Sequence, residues 1–216
     1  MKIGVIVPVI NNNFLPGLLD CIERNTVHPD SIIIIDNSPD RGIVIQTRLF
    51  FHKIMPDIPL GVNASWNTAV PMLFDTTDMI SILNDDLLLE DHFFEKLIDT
   101  ARLYPEAGVL CPNTLKDEEG IKHAFQAGNN NASRMNRREG WAWTIRSEVA
   151  KRIPPIPSDL VTFCGDDWYW YHCHKLNRPW MKMITNYCYH YGSQSVRLTG
   201  VEKDLRREKN IFATYL

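Results

Sequence analysis

The sequence has no apolar run long enough to span a membrane, no closely spaced cysteine pair and little net charge. The first absence argues against a helical membrane protein. The opening MKIGVIVPVINNN is also too short in its apolar part for a signal peptide, so the protein is expected to be cytoplasmic. Five cysteines, Cys21, Cys111, Cys164, Cys173 and Cys188, are an odd number without a C-x-x-C spacing, which argues against a disulfide framework and for buried free thiols. A net charge of -3 gives no global reason to expect a polyanionic partner. There is no internal repeat and no low-complexity tract beyond a short asparagine cluster. With 44% apolar and 23% charged residues over 216 positions, the chain has the composition of one folded domain rather than a disordered segment.

What is present is an alternation. KIGVIVPVI (2 to 10) and SIIIIDN (31 to 37) are short, continuous, β-branched runs, as expected of strands covered on both faces. Between them Leu15, Leu18, Leu19 and Ile22 recur at helical spacing. A helix over about 64 to 74, a strand over Met79 to Leu83, a helix over about 91 to 104 and an apolar run from Ala107 to Cys111 continue the pattern. Alternating strands and helices predict an α/β fold with a mainly parallel sheet flanked by helices. Ligands of such sheets bind beyond the carboxyl ends of the strands. At those ends lie Asn11 to Asn13, then Asp36 and Asn37, then Asn84, Asp85 and Asp86.

Asp85 and Asp86 close an apolar strand with adjacent carboxylates, which repel one another and are costly to bury without a cation or hydrogen-bond donors. They suit Mn²⁺ or Mg²⁺, which takes one or two carboxylates and completes its shell with water and phosphate oxygens. An exposed turn in which one aspartate caps the next helix is the plainer alternative. A second pair, Asp166 and Asp167, precedes the helix-like WYWYHCHKL and reads either as helix capping or as a general base beside an acceptor hydroxyl. His172, Cys173, His174, Cys188 and His190 have poor spacing for zinc, because neighbours two apart fall on different faces of a helix. His190 precedes GSQS at another expected strand end. Residues 113 to 139 read as a polar loop. Arg134, Arg137 and Arg138 within it are either solvated or contacts for an anionic acceptor. The terminal VEKDLRREKNIFATYL reads as an amphipathic helix.

Taken in order, PVINN, IIIIDNSPD, LGVNASWNTAV, ISILNDDLLLEDHFFEKL, GWAWTIRSEVAKRI, CGDDWYWYHCHKLNR and YHYGSQS resemble the GT-A-fold glycosyltransferases, in particular the inverting family 2. The resemblance spans about residues 2 to 195. It implies a single GT-A domain, Rossmann-like, with a nucleotide-sugar-binding half over about 1 to 112 and an acceptor-side half with a C-terminal helix over about 113 to 216. Its implied activity is metal-dependent, inverting transfer of a sugar from a nucleotide-diphosphate donor, most commonly UDP, to an acceptor hydroxyl. The acceptor would be a glycan, a lipid-linked sugar, a protein or a modified nucleic acid.

Residue by residue, the resemblance places Pro8, Val9 and Asn11 against the nucleotide base and Asp36 at the base or ribose. It places Gly61, Ala64 and Asn67 where a helix nears the nucleotide. Asn84, Asp85 and Asp86 match the DxD-type motif, with Asp86 on Mn²⁺ or Mg²⁺ and Asp85 near the ribose or the metal. Asp166 and Asp167 match the acidic pair that carries the catalytic base, assigned to Asp167, and His190 matches a histidine near the metal or diphosphate. Asn84 and Asp166 depart from the usual Asp and Glu, and an arginine usual after the acidic pair is replaced by His172 to Lys175. Trp141, Trp143, Trp168, Tyr169 and Trp170 offer apolar faces for a sugar or for core packing. Three alternatives stay open: a glycosyltransferase acting on modified DNA bases, a nucleotidyltransferase, and a non-catalytic nucleotide- or carbohydrate-binding protein. A nucleotidyltransferase usually carries a glycine-rich basic loop where VINNNFLPG stands here.

Overall fold

A computed structural model describes residues 1–39, 42–123, 130–192 and 202–216. Among these residues nine strands form one sheet, in the order β3-β2-β1-β4-β8-β6-β9-β5, with β7 pairing β9 outside that path. The strands are β1 (Ile3–Val9), β2 (Ser31–Asp36), β3 (His52–Ile54), β4 (Met79–Leu83), β5 (Leu87–Leu89), β6 (Val109–Leu115), β7 (Ala132–Arg134), β8 (Ala142–Arg146) and β9 (Trp180–His190). The helices are α1 (Leu15–Arg24), α2 (Val62–Ala69), α3 (Phe93–Leu103), α4 (Glu119–His123), α5 (Ser147–Ala150), α6 (Gly165–Lys175) and α7 (Glu202–Ala213).

The first four strands in sheet order are parallel, as the β-α-β alternation predicts. β1 shows why its sequence is continuously apolar. Ile3, Val5, Val7 and Val9 face a core shared with Leu15, Leu18, Phe94 and Leu97 of α1 and α3, while Ile6 faces a second core with Trp66, Trp143, Trp168 and Trp180. Alternate side chains of one strand thus fill both faces. α2 stops at Ala69 because Pro71 cannot continue it, and Pro71–Leu73 form a 3-10 turn.

Beyond β4 the sheet becomes mixed. The run from Ala107 to Cys111 does not lie beside β4: β8, from GWAWTIR, inserts antiparallel between β4 and β6. Ala142, Trp143, Thr144 and Ile145 are all buried, and so short an apolar run carries no periodicity that separates strand from helix. The segment 113 to 139, read as a loop, instead contributes the end of β6, α4 and β7. Because β8 is antiparallel to β4 and β6, and β9 is parallel to β6, the amino end of β8 meets the carboxyl ends of β1, β2, β4 and β9 at one edge.

All five cysteines are buried and free. Among the described residues no helix is long and apolar enough to cross a membrane.

Candidate active site

A cleft of about 500 Å³ lies at this edge. Its walls include Pro8, Val9, Asn37, Gly61, Asp85, Asp86, Arg138, Asp166 and Asp167. The four carboxylates come from two places far apart in sequence. The Asn84 amide donates to the Trp141 carbonyl at 2.9 Å, extending the β4–β8 ladder by one step. The chain then turns through Asp85 and Asp86, both buried, directly into β5 rather than into a helix. The helix-capping reading of this pair therefore does not apply.

β5 pairs with β9 in a register that sets Leu87 opposite His190. This brings His190 Nε2 to 3.1 Å from Asp86 Oδ1. Asp86 and His190 are close enough to hold one divalent cation between them, and a nitrogen beside a carboxylate would suit a transition ion such as Mn²⁺ better than Mg²⁺, which prefers oxygen ligands. Among the described residues no group of three or more His, Cys, Asp or Glu side chains is placed to hold a metal ion. Two protein ligands are nevertheless what such an ion takes when phosphate oxygens and water supply the rest. The Trp141 ring stacks on His190 with centroids 5.3 Å apart and planes 14° apart, and its indole N–H donates to Thr114 Oγ1 at 3.2 Å. Trp141 thus fixes the imidazole. Burial, and then the neighbouring Asp86, push the Asp85 carboxyl up to about 7.

The opposite wall is the first turn of α6. Cys164, at φ 61, bends the chain into the helix, and Gly165, Asp166 and Asp167 follow. Burial, then the Asp167 charge, raise Asp166 above the ordinary carboxylate range, against the lowering effect of Arg138. The segment leading into this turn is clamped from two sides. The Asn63 side chain donates to the carbonyls of Leu160 and Phe163 at 2.9 and 2.8 Å, and the buried Glu208 carboxylate of α7 accepts from the amides of Thr162 and Phe163 at 3.1 and 2.8 Å. Leu205 and Lys209 of α7 reach the cleft.

On the nucleotide side the sequence reading meets a mixed outcome. Pro8, Val9 and Gly61 line the cleft, and Gly61 adopts φ 76 at the start of α2. Asp36 lies at the expected strand end, but its side chain is fully buried against Lys53 Nζ at 2.8 Å and the Ser38 hydroxyl at 2.5 Å. Burial alone would raise its carboxyl; Lys53 and Ser38 outweigh that and hold it below the usual range. Asn11 and Asn67 are not brought to the cleft wall. Asn11 accepts from the Asn13 amide, and Asn67 is bonded in both directions to the backbone of Ile156. Ala64 is likewise absent from the wall.

Of the aromatic residues, Trp143, Trp168 and Tyr169 belong to the core, and Trp141 alone of the five stands beside the site residues. Cys173 is buried and His174 is exposed. Residues 193 to 195 of GSQS lie outside the described residues. Sequence reasoning missed Asn63, Lys53 and Glu208, and did not connect Arg138 to the carboxylates. No local pattern marks these residues, since each acts on a partner at least seventeen positions away.

Comparison with known proteins bears on the fold and the family. The crystal structure of GalNAc-T7 with UDP, GalNAc and Mn²⁺ superposes on 88% of this chain and 43% of its own, with a TM-score of 0.68 at 10% identity. Staphylococcus aureus TarS, residues 1–349, superposes on 88% of this chain and 60% of its own, with a TM-score of 0.65 at 15% identity. At such identities these likenesses show the shared GT-A fold. The O-antigen chain rhamnosyltransferase RfbN of Salmonella typhimurium is 30% identical over 139 residues, 62% of this chain and 43% of that protein. The chain therefore spans about two fifths of the length of that relative. The family model described as glycosyl transferase family 2 matches residues 4–151, well over half of the sequence, up to the end of α5. The chain belongs to glycosyl transferase family 2.

Proposed function

We propose that the protein is a metal-dependent, inverting glycosyltransferase that moves a sugar from a nucleotide-diphosphate donor, a UDP-sugar, to an acceptor hydroxyl. The observation that carries this reading is the convergence of two carboxylate pairs on one cleft: Asp85 and Asp86, the latter in contact with His190, on one wall, and Asp166 and Asp167 on the other. UDP is supported by the solved complexes of GalNAc-T7 and TarS, which contain it. A cytoplasmic location is supported by the five free thiols, which persist in a reducing compartment.

Asp86 and His190 would hold the Mn²⁺ or Mg²⁺, with Asp85 beside them. A cation held there would supply positive charge against the negative charge that develops on the departing diphosphate. Pro8 and Val9 form an apolar floor for the nucleotide base. Asp167 takes the proton of the acceptor hydroxyl as its oxygen bonds to the anomeric carbon and the bond to the diphosphate breaks from the opposite face. One displacement inverts the configuration at that carbon. The cleft walls hold donor and acceptor in line, which converts a two-molecule encounter into an oriented reaction.

The reading of a DNA-base glycosyltransferase finds less support, because Arg138 is turned inward to the aspartates and only Arg134 and Arg137 remain exposed. The test is a panel of nucleotide sugars with Mn²⁺ or Mg²⁺, followed by calorimetry and donor hydrolysis on wild type, Asp86→Asn and Asp167→Asn. We expect Asp86→Asn to lose metal-dependent nucleotide binding, and Asp167→Asn to bind donor and transfer poorly. If no nucleotide diphosphate binds in the presence of metal, the reading fails.

A further inference from the structure

Asp166 and Asp167 stand side by side on the cleft wall, and a second element reaches across to them. Arg138, in the segment joining β7 to β8, pairs through Nη2 with Asp167 Oδ1 and brings its Nε to 3.6 Å from Asp166 Oδ2. One planar guanidinium spans both carboxylates, a geometry that the point charge of a lysine does not reproduce. The segment that carries it is anchored on both sides of the arginine. The Met135 amide donates to the Trp180 carbonyl at 2.9 Å, and the buried Glu139 pairs with Lys182 of β9 at 2.7 Å. Gly140 packs so closely that a Cβ there would stand 3.0 Å from Asp166 Oδ2. The backbone on either side of Arg138 is therefore held close to the pair.

We infer that Arg138 is a positioning residue for the base: it offsets the mutual repulsion of Asp166 and Asp167 and fixes the Asp167 carboxylate on the cleft wall. What that carboxylate does rests on the glycosyltransferase reading, whereas the pairing itself does not.

Two adjacent carboxylates in a partly closed site tend to share a proton, and a carboxylate that holds a proton is no base. The neighbouring titratable groups do not balance the pair: Cys111, raised by burial, stays neutral, and Lys182 is paired with Glu139. The Cys164 thiol, pushed up to about 12 by burial and then by Asp167, stays neutral. Glu208 of α7 and Asp85 and Asp86 across the cleft are acidic. Lys209 of α7 is the other cation on the described cleft wall, and it is exposed. Arg138 is thus the group that can balance the pair at close range.

The inference can be read without turnover. In protein labelled with ¹³C-aspartate, the carboxyl carbons of the pair, assigned with Asp166→Asn and Asp167→Asn, are titrated by NMR in wild type, Arg138→Gln and Arg138→Lys. In Arg138→Gln the titration of the pair moves upward by about one pH unit or more, the size expected on removing an opposite charge at contact distance. Arg138→Lys, which keeps the charge but not the two-carboxylate fork, restores part of it. The acid limb of kcat/KM for the donor moves upward with it, while metal-dependent nucleotide binding stays within about twofold of wild type. In an Asp166→Asn background the limb itself starts lower, because the like charge is gone, and the same arginine substitution still moves it upward, because Arg138 pairs directly with Asp167. A carboxyl titration that coincides with wild type in Arg138→Gln overturns the inference, and so does a rate lowered equally at every pH. If the titration moves as expected but wild type transfers no sugar from any donor, the positioning role stands and the glycosyltransferase reading fails.

Discussion

The side-chain oxygen of Asn63 lies 2.1 Å from where a Cβ on Gly165 would stand. The same asparagine donates to the carbonyls of Leu160 and Phe163, so the start of α2 holds the backbone from which the base-bearing turn begins. Glycine at 165 is required by this close approach, and Trp66, at 2.7 Å from the same Cβ position, closes the other side. Gly165→Ala is expected to cost about 2 kcal/mol of stability, typical of overpacking in a filled site. Urea denaturation checks this. Adding Asn63→Ala should recover part of the loss, giving a non-additive pair; strict additivity would mean that the two residues are not in the contact described.

Glu208 ties the C-terminal helix to the same turn through the amides of Thr162 and Phe163. A hydrogen bond to a charged acceptor contributes about 1.5–3 kcal/mol. Glu208→Ala should therefore lower the unfolding free energy by about 2 kcal/mol and reduce kcat/KM by displacing Asp166 and Asp167, while Glu208→Gln, which keeps one acceptor oxygen, loses less. Equal stability of the alanine variant and wild type would show that α7 is not fastened here.

Trp141 fixes the ring of His190 by stacking and is itself held by Thr114. Groups that orient a metal ligand typically carry about 10- to 100-fold in metal affinity. Trp141→Leu is expected to weaken Mn²⁺-dependent nucleotide binding about tenfold, and His190→Ala to weaken it further. Calorimetric titrations at fixed Mn²⁺ separate the two. A Trp141→Leu protein with wild-type affinity would leave the stack without a role in the metal site.

Asp85 supplies a pH dependence. Its carboxyl is pushed from 3.8 to about 7 by burial and then by Asp86. Below pH 3.8 folded and unfolded chains both hold the proton; as pH rises the unfolded chain releases it first, so metal-free stability falls between about pH 4 and 7. The full effect corresponds to about 4 kcal/mol above pH 7. Metal-free Asp85→Asn should then be more stable than wild type at pH 8, with the difference vanishing toward pH 4. A divalent cation should narrow the gap by favouring the ionised carboxylate of the wild type. If thermal denaturation gives the two proteins parallel pH profiles, burial of Asp85 has been overstated.

Much of this site was legible locally. The runs IGVIVPV, SIIIID and MISIL form parallel strands because each is apolar on both faces, and the polar residues that end them arrive at the ligand-binding edge because parallel strands share one direction. The carboxylate pairs could be found for the same reason, since adjacent charges at the end of an apolar strand or the start of a helix stand out in one dimension. Asn67 shows the limit. It lies on the same helix as Asn63, and the helix phase alone does not say which of the two faces the loop before α6 and which bonds to Ile156.

The sequence by itself determined the α/β alternation and the polar strand ends, which depend on composition and spacing over fewer than about a dozen residues, and the resemblance to family 2, which rests on the order of seven such stretches along the chain. Only the tertiary structure decided that β8 separates β4 from β6, that His190 comes to rest against Asp86, and that Arg138 spans Asp166 and Asp167. The physical reason is register. These contacts join residues brought together by strand order and by the pairing of β5 and β8 with distant partners, and strand pairing is chosen by packing across the whole sheet rather than by any short stretch of chain.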